Sequence, residues 1–285
     1  MIPLEFDYSA PATLQEALEL LAEEEAKPLA GGCSLIPLLK LRLAAPGRLV
    51  DLSRIPELRS IAANSGSIHA GAMATHYDLE SSSLLRAACP LLAETASHIG
   101  DVQVRNMGTL GGSVAHNDPA ADYPAALFAL EAQVRLRSKD SERMLPLSEF
   151  LVDALITAAE PGELVTEIIV PAEQPGTGAS YQKMRNPASG FALVGVAARM
   201  RKTDGIISMA RVGVTGLAAI GFRAVAVEQL LEGTAGSAAD IKKAAAVIAD
   251  GVEANSDIHA SANYRKHVAA VYAARAITAA LERSS

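Results

Sequence analysis

A mixed α+β fold in two parts is predicted by three features of this 285-residue chain. Amphipathic helical stretches and short apolar strands alternate up to about residue 175. Three long strand-like runs follow between 179 and 215, and three helical stretches close the chain. Strands in succession and then helices in succession describe a separate α+β layer. The boundary falls in the loop EQPGTGAS (173–180), where Pro and Gly break any regular pattern.

The first element is a helix over 13–25 (TLQEALELLAEEE). Leu14, Ala17, Leu18 and Leu21 recur at helical spacing, and Thr13 with Glu16 three residues on forms a capping box. PLAGG (28–32) ends in paired glycines. Residues 35–43 read as helical or irregular because Pro37 interrupts them, and RLVDL (48–52) reads as a buried strand. SIHAGAM (67–73) is a strand running into a turn, and LLAETASHI (91–99) is a helix. TLGGS (109–113) is a second glycine-paired segment, followed by a helix over 124–133 and the strand VRLRS (134–138). Past the linker, strands are expected over 179–184, 192–201 and 206–215, and helices near 222–231, 238–249 and 264–283. The apolar stripe of the last helix is ordinary core packing.

Half of the residues are hydrophobic, which supports a sizeable core and excludes disordered, collagen-like and low-complexity classes. Lys and Arg number 25 against 32 Asp and Glu, so the chain is acidic and repels a nucleic-acid backbone. The opening MIPLEFDYSA has neither the basic nor the apolar region of a secretory signal. No apolar run approaches the roughly 18–20 residues that span a bilayer. A soluble, cytoplasmic protein is expected. Cys33 and Cys89 cannot ligate an iron–sulfur cluster, and the six histidines do not cluster, so no metal site is expected. Dinucleotide GxGxxG, P-loop, HExxH and GxSxG motifs are absent.

The informative chemistry lies in Ala30-Gly31-Gly32-Cys33-Ser34 and Thr109-Leu110-Gly111-Gly112-Ser113. Each places adjacent glycines after an apolar run and before a small hydroxyl residue. Glycine turns through positive φ and lacks the Cβ that keeps ligands from the backbone. Successive bare N–H groups in such a bend form a concave anion site. One glycine pair is a tight turn as readily as a ligand site; two of matching build suggest opposite sides of one diphosphate.

AGGCSLIPLLKLRLAAPGRLVDLSRIPEL (30–58) and QVRNMGTLGGSVAHNDPAADYPAALFAL (103–130) closely resemble the FAD-binding medium subunit of the molybdenum hydroxylases, the xanthine and carbon monoxide dehydrogenase family. The resemblance continues through 165–200 and 262–277 and so covers essentially the whole chain. It implies the two-subdomain FAD-binding fold of the vanillyl-alcohol oxidase and p-cresol methylhydroxylase type, over about 1–57 and 58–175, with a C-terminal domain of a three-stranded sheet and helices over 176–285. It implies that Leu29, Ala30, Gly31, Gly32, Cys33, Ser34 and Leu35 lie along the FAD diphosphate, and that Thr109, Gly111, Gly112 and Ser113 form the second wall. Asp122 corresponds to an acidic residue that hydrogen-bonds cofactor hydroxyls, Lys183 to a lysine on the flavin side, and Ile99 and Val165 to apolar lining positions.

Other readings stand beside these. Asp122 can cap the helix near Pro124, Lys183 can be a solvated surface charge, and Cys33 can be a small packing residue or a reactive thiol. His116 can reach the cofactor or bond local backbone. The chain departs from its relatives at Cys33, where His or Gln is commoner, and at Ser113, where Asp or Asn is. The resemblance further implies a relay without catalytic residues of its own. A large molybdenum–pterin subunit oxidises substrate, a small subunit passes electrons through two [2Fe–2S] clusters, and FAD here hands a pair to NAD, oxygen or a quinone, in a dimer of heterotrimers. The rival readings are a stand-alone flavin oxidoreductase of the same fold and a scaffold subunit without cofactor.

Overall fold

The computed structural model describes residues 2–284. The chain begins with a parallel three-stranded sheet of β1 (Asp7–Ser9), β2 (Ala26–Leu29) and β3 (Arg48–Asp51), in the order β1-β3-β2. The helix Leu14–Leu21 joins β1 to β2 and buries the four residues that the periodicity singles out. They pack on Val50, Leu52, Ile55 and Leu58. Both arms of the Thr13–Glu16 capping box form. This helix stops short of the expected residue 25, because Glu23, Glu24 and Glu25 are not buried in the core and Glu25 turns left-handed at φ +62. The helix Leu35–Leu41 joins β2 to β3. Pro37 sits in its first turn, where no intrahelical acceptor exists for an N–H in any case, so the helix tolerates it.

A five-stranded antiparallel sheet follows, built from β4 (Ile61–Asn64), β5 (Ser67–Gly71), β6 (Gln133–Arg137), β7 (Glu142–Pro146) and, after the hairpin of β8 (Leu151–Asp153) and β9 (Ile156–Thr157), β10 (Leu164–Pro171). Its order is β4-β5-β10-β6-β7. Short helices inserted between β5 and β6 share one core with it, including Leu79, Leu91, Leu110, Tyr123 and Leu127 against Ile68, Val134 and Ile168. The helix expected over 91–99 spans Pro90–Ser97. The one expected over 124–133 spans Tyr123–Ala129, since the chain turns left-handed at Glu131 (φ +52) before entering β6.

Beyond the linker, β11 (Thr177–Arg185), β12 (Ala192–Thr203) and β13 (Ile206–Thr215) form the expected antiparallel run. Phe222–Arg223 adds a short fourth strand, β14, at the expected start of a helix; that helix runs over Val225–Leu231 instead. The helices Ala238–Ala246 and Ala262–Glu282 complete this core. Helix backbones cross the sheet at glycines: a Cβ on Gly178 would overlap the Ala280 carbonyl, and one on Gly213 the Ala125 carbonyl. The second crossing seats the helix Tyr123–Ala129 on β13. A buried Arg199–Glu173 ion pair at 2.8 Å also spans the linker.

A buried histidine, His76, ties the turn at Gly108 to the helix Tyr123–Ala129. Its main-chain N–H donates to the Gly108 carbonyl at 3.0 Å, and its Nδ1 lies 2.9 Å from the Tyr123 hydroxyl. His76 is 4% exposed, and burial pushes its pKa down from 6.5 to about 4, with Arg105 adding to the shift. The ring is therefore neutral at pH 7.

Two outcomes are expected. Gly213→Ala should lower unfolding stability by about 1–3 kcal/mol, since overpacking here meets backbone and not a flexible side chain; an unchanged urea midpoint would show that the crossing has slack. For His76, the unfolded ring takes up its proton near pH 6.5 while the folded ring resists until about pH 4. Stability is thus complete above 6.5 and is lost as pH falls through that window. The loss is about 3 kcal/mol at roughly 1.4 kcal/mol per unit. His76→Gln keeps a partner for Tyr123 and should flatten that slope in urea titrations at stepped pH.

Candidate functional site

The two glycine segments meet. From the end of β2 at Leu29 the chain bends through Ala30, Gly31 and Gly32 (φ +73) into the helix Leu35–Leu41. A Cβ on Gly31 would overlap the Met107 carbonyl and crowd Gly108, so main chain lies directly on main chain. A Cβ on Gly112 would lie 3.5 Å from that of Ala30 and 2.7 Å from Oγ1 of Thr109. Glycine at 31 thus serves contact between the segments.

Their amides differ. The N–H groups of Gly31, Gly32, Cys33, Ser34 and Leu35 have no acceptor within the described residues. The side chains of Cys33 and Ser34 are exposed beside them. In the second segment the four amides from Leu110 to Ser113 are all engaged. Leu110 donates to the Ala74 carbonyl (3.0 Å), Gly111 to Ala72 (2.9 Å) and Ser113 to Thr109 (3.0 Å). Gly112 donates to Oγ1 of Thr109 at 3.1 Å. The expected loop is the first turn of a helix, Leu110–His116, with Thr109 as its N-cap. The cap and the two carbonyls of the preceding turn outweigh the roughly 1 kcal/mol that each glycine costs a helix. Gly111 is small because it rests on Ala72.

A second group of residues gathers at the N-terminal end of the helix Tyr123–Ala129. Asp122 is 4% exposed and caps nothing. Its Oδ1 accepts from the Tyr181 hydroxyl at 2.6 Å and from Nζ of Lys183 at 2.8 Å, while its Oδ2 accepts from no group among the described residues. Burial pushes the Asp122 carboxyl up, against the opposing pull of Lys183 and Tyr181. The Lys183 side chain is 3% exposed and also donates to the Gly190 carbonyl, so it is no solvated surface charge. Ile99 is half-buried in the stretch 98–100 that borders β11, where Arg185 donates to the Gly100 carbonyl. Val165 lies in the core on β10, the strand beneath the helix Leu110–His116. His116 makes no side-chain hydrogen bond among the described residues, to local backbone or elsewhere. Cys33 is exposed instead of packed. Partial desolvation and the nearby Asp101 hold its thiol above the usual range.

Sequence reasoning missed Tyr181, although two-residue strand alternation puts it on the same face as Lys183. Five consecutive unpaired main-chain donors make an anion cradle, and a buried carboxylate with one oxygen free offers an acceptor for a hydroxyl. A dinucleotide carries both groups, so the residues present fit FAD. Among the described residues no metal-binding cluster of His, Cys, Asp and Glu occurs, and no helix is long and apolar enough to cross a membrane.

Comparison with known proteins agrees with this chemistry. Residues 4–173 match the family described as FAD binding domain in molybdopterin dehydrogenase, and residues 179–280 match the CO dehydrogenase flavoprotein C-terminal domain. The carbon monoxide dehydrogenase medium chain of Hydrogenophaga pseudoflava is 39% identical, covering 99% of each chain. The xanthine dehydrogenase FAD-binding subunit of Escherichia coli O157:H7 is 27% identical over 92% of this chain and 91% of its own. The solved carbon monoxide dehydrogenase from Hydrogenophaga pseudoflava lacking the Mo-pyranopterin moiety gives a TM-score of 0.96 at 40% identity, with all of both chains covered. Quinoline 2-oxidoreductase from Pseudomonas putida 86 gives 0.95 at 31%, covering 100% of this chain and 99% of that one. On these matches and the cradle together, this chain belongs to the molybdenum hydroxylase family as an FAD-binding medium subunit.

Proposed function

We propose that this chain is the electron-relay subunit of a three-subunit molybdenum hydroxylase, taking electrons from a small [2Fe–2S] subunit and delivering them to NAD, oxygen or a quinone. Substrate oxidation belongs to the large molybdenum–pterin subunit, and the whole is a cytoplasmic dimer of heterotrimers. The observation that carries the reading is the run of five unpaired amides at Gly31–Leu35. Bound FAD supplies the ability to collect electrons singly and release them as a pair.

This chain's residues bind and orient the cofactor. Gly31, Gly32, Cys33, Ser34 and Leu35 donate main-chain N–H groups to the diphosphate, with Leu29 and Ala30 flanking them. Thr109, Gly111, Gly112 and Ser113 act by shape, as a side-chain-poor wall that lets the diphosphate approach. Oδ2 of Asp122 accepts from a cofactor hydroxyl. Lys183 holds the Asp122 end of the site in place, and Ile99, Val165 and His116 line it. No proton transfer is asked of any of them, and no general base is assigned.

Two measurements test this. Gly32→Val forces a β-branched residue into left-handed backbone and crowds Ile36. It should weaken FAD retention at least roughly ten-fold, the loss of one or two charge-assisted hydrogen bonds, with far-UV circular dichroism unchanged. Full retention would make the bend structural only. In the assembled complex, substrate should bleach the flavin bands under anaerobic conditions, whereas the isolated chain should stay yellow. Bleaching of the isolated chain would favour a stand-alone oxidoreductase, and a folded chain that takes up no FAD would favour a scaffold.

A further inference from the structure

Gly195 lies in the middle of β12, directly across from Lys183 of β11. Its backbone is ordinary extended strand, so glycine is not required there for conformation. It is required for space: a Cβ would overlap the Tyr181 hydroxyl and come within 2.9 Å of Cγ2 of Thr215. Tyr181 is fully buried, and His98 stands edge-on to its ring at 5.7 Å and 87°. The segment leading into Asp122 is laced to the same sheet. The Thr215 hydroxyl donates to the Ala121 carbonyl at 2.6 Å, and the Gly216 N–H donates to that of Pro119 at 2.9 Å. The notch at Gly195 therefore sits between the two side chains that fix residues 119–122.

We propose that Tyr181 is a positioning residue for cofactor binding: seated in the Gly195 notch, its hydroxyl fixes Oδ1 of Asp122 and leaves Oδ2 directed to a cofactor hydroxyl. The inference rests on the reading that Asp122 meets FAD, and it adds how that carboxylate is held. Lys183 alone cannot hold it, because its ammonium is shared with the Gly190 carbonyl at 2.9 Å and sits on a flexible stem. The phenol is rigid, and burial beside Asp122 raises its pKa, so it remains a donor at any ordinary pH.

The test measures FAD affinity of the full-length apo chain by flavin fluorescence quenching, from acid to neutral pH. The charged or titratable groups facing Asp122 are Lys183, Tyr181, Tyr123 and His98; both phenols stay protonated through the range tested, so the series is made in a His98→Gln background. Asp122→Asn should weaken FAD and abolish the acid limb of the profile. Tyr181→Phe should raise the Kd several-fold, because a carboxylate freed to turn must be ordered when the cofactor binds. It should also move the acid limb to higher pH, because Asp122 loses a donor that favours its ionised form. Gly195→Ala should reproduce that shift, and adding Tyr181→Phe to it should cost nothing further. If Gly195→Ala does not fold, the Tyr181→Phe profile decides by itself. An effect of Asp122→Asn with an unmoved acid limb in Tyr181→Phe would overturn the positioning role and leave Asp122 at the cofactor. No effect of Asp122→Asn on affinity would overturn both.

Discussion

The contact of Gly31 with the main chain of Met107 and Gly108 is the constraint on which the site depends. Backbone pressed on backbone fixes the bend after β2 against the turn that precedes Thr109. Five donors stay open: those of Gly31 and Gly32 in the bend, and those of Cys33, Ser34 and Leu35 at the start of the helix, where no intrahelical acceptor exists, so that solvent or a bound anion takes them. The opposing segment is kept rigid by the reverse strategy. Its amides from Leu110 to Ser113 are spent on Ala72, Ala74 and Thr109, and the main-chain N–H of His76 behind it holds the Gly108 carbonyl. One side of the contact is saturated so that the other can remain unsaturated.

Electrostatics divides the molecule in a similar way. Most ion pairs are partly exposed, as are Arg48–Glu23 and Arg137–Glu142, and contribute little in solvent. Two buried pairs, Asp122–Lys183 and Glu173–Arg199, face a desolvation penalty that their attraction only roughly balances. Stability is thus a weak reason for them. Position is a better one, because Glu173 follows β10 at the start of the linker and Asp122 opens the helix that β13 receives.

Much of this architecture is legible in the sequence. The capping box at Thr13, the strands around Tyr181, Val194 and Val212, and the bend at Gly31–Gly32 each carry a local signal strong enough to survive folding. The departures come from contacts between residues distant in sequence. Thr109 followed by Leu-Gly-Gly resembles an open bend when glycine's helix penalty is weighed without the N-cap and without carbonyls from residues 72 and 74, which are distant in sequence. The solvated alternative for Lys183 arises because alternation along β11 does not say which face is covered, and its side chain is buried against Asp122. The cap alternative for Asp122 fails because its side-chain partners lie 59 and 61 residues away. Pairings at that range leave no trace in a single sequence.

The placing of Asp122 also explains why the last 110 or so residues matter to a site whose cradle lies in the first 35. Residues 119–122 are held by Tyr181, Lys183, Thr215 and Gly216, all of them beyond the linker. The helix that Asp122 introduces is seated on β13 at Gly213. A carboxylate belonging to the first part is therefore aimed by the second. The cradle at Gly31–Leu35 is built within the first part, against the turn at Met107–Gly108, whereas Asp122 is held by residues of the C-terminal sheet. On the proposed reading, a ligand that engages both groups stabilises only the docked arrangement, so cofactor binding and the docking of that sheet are linked.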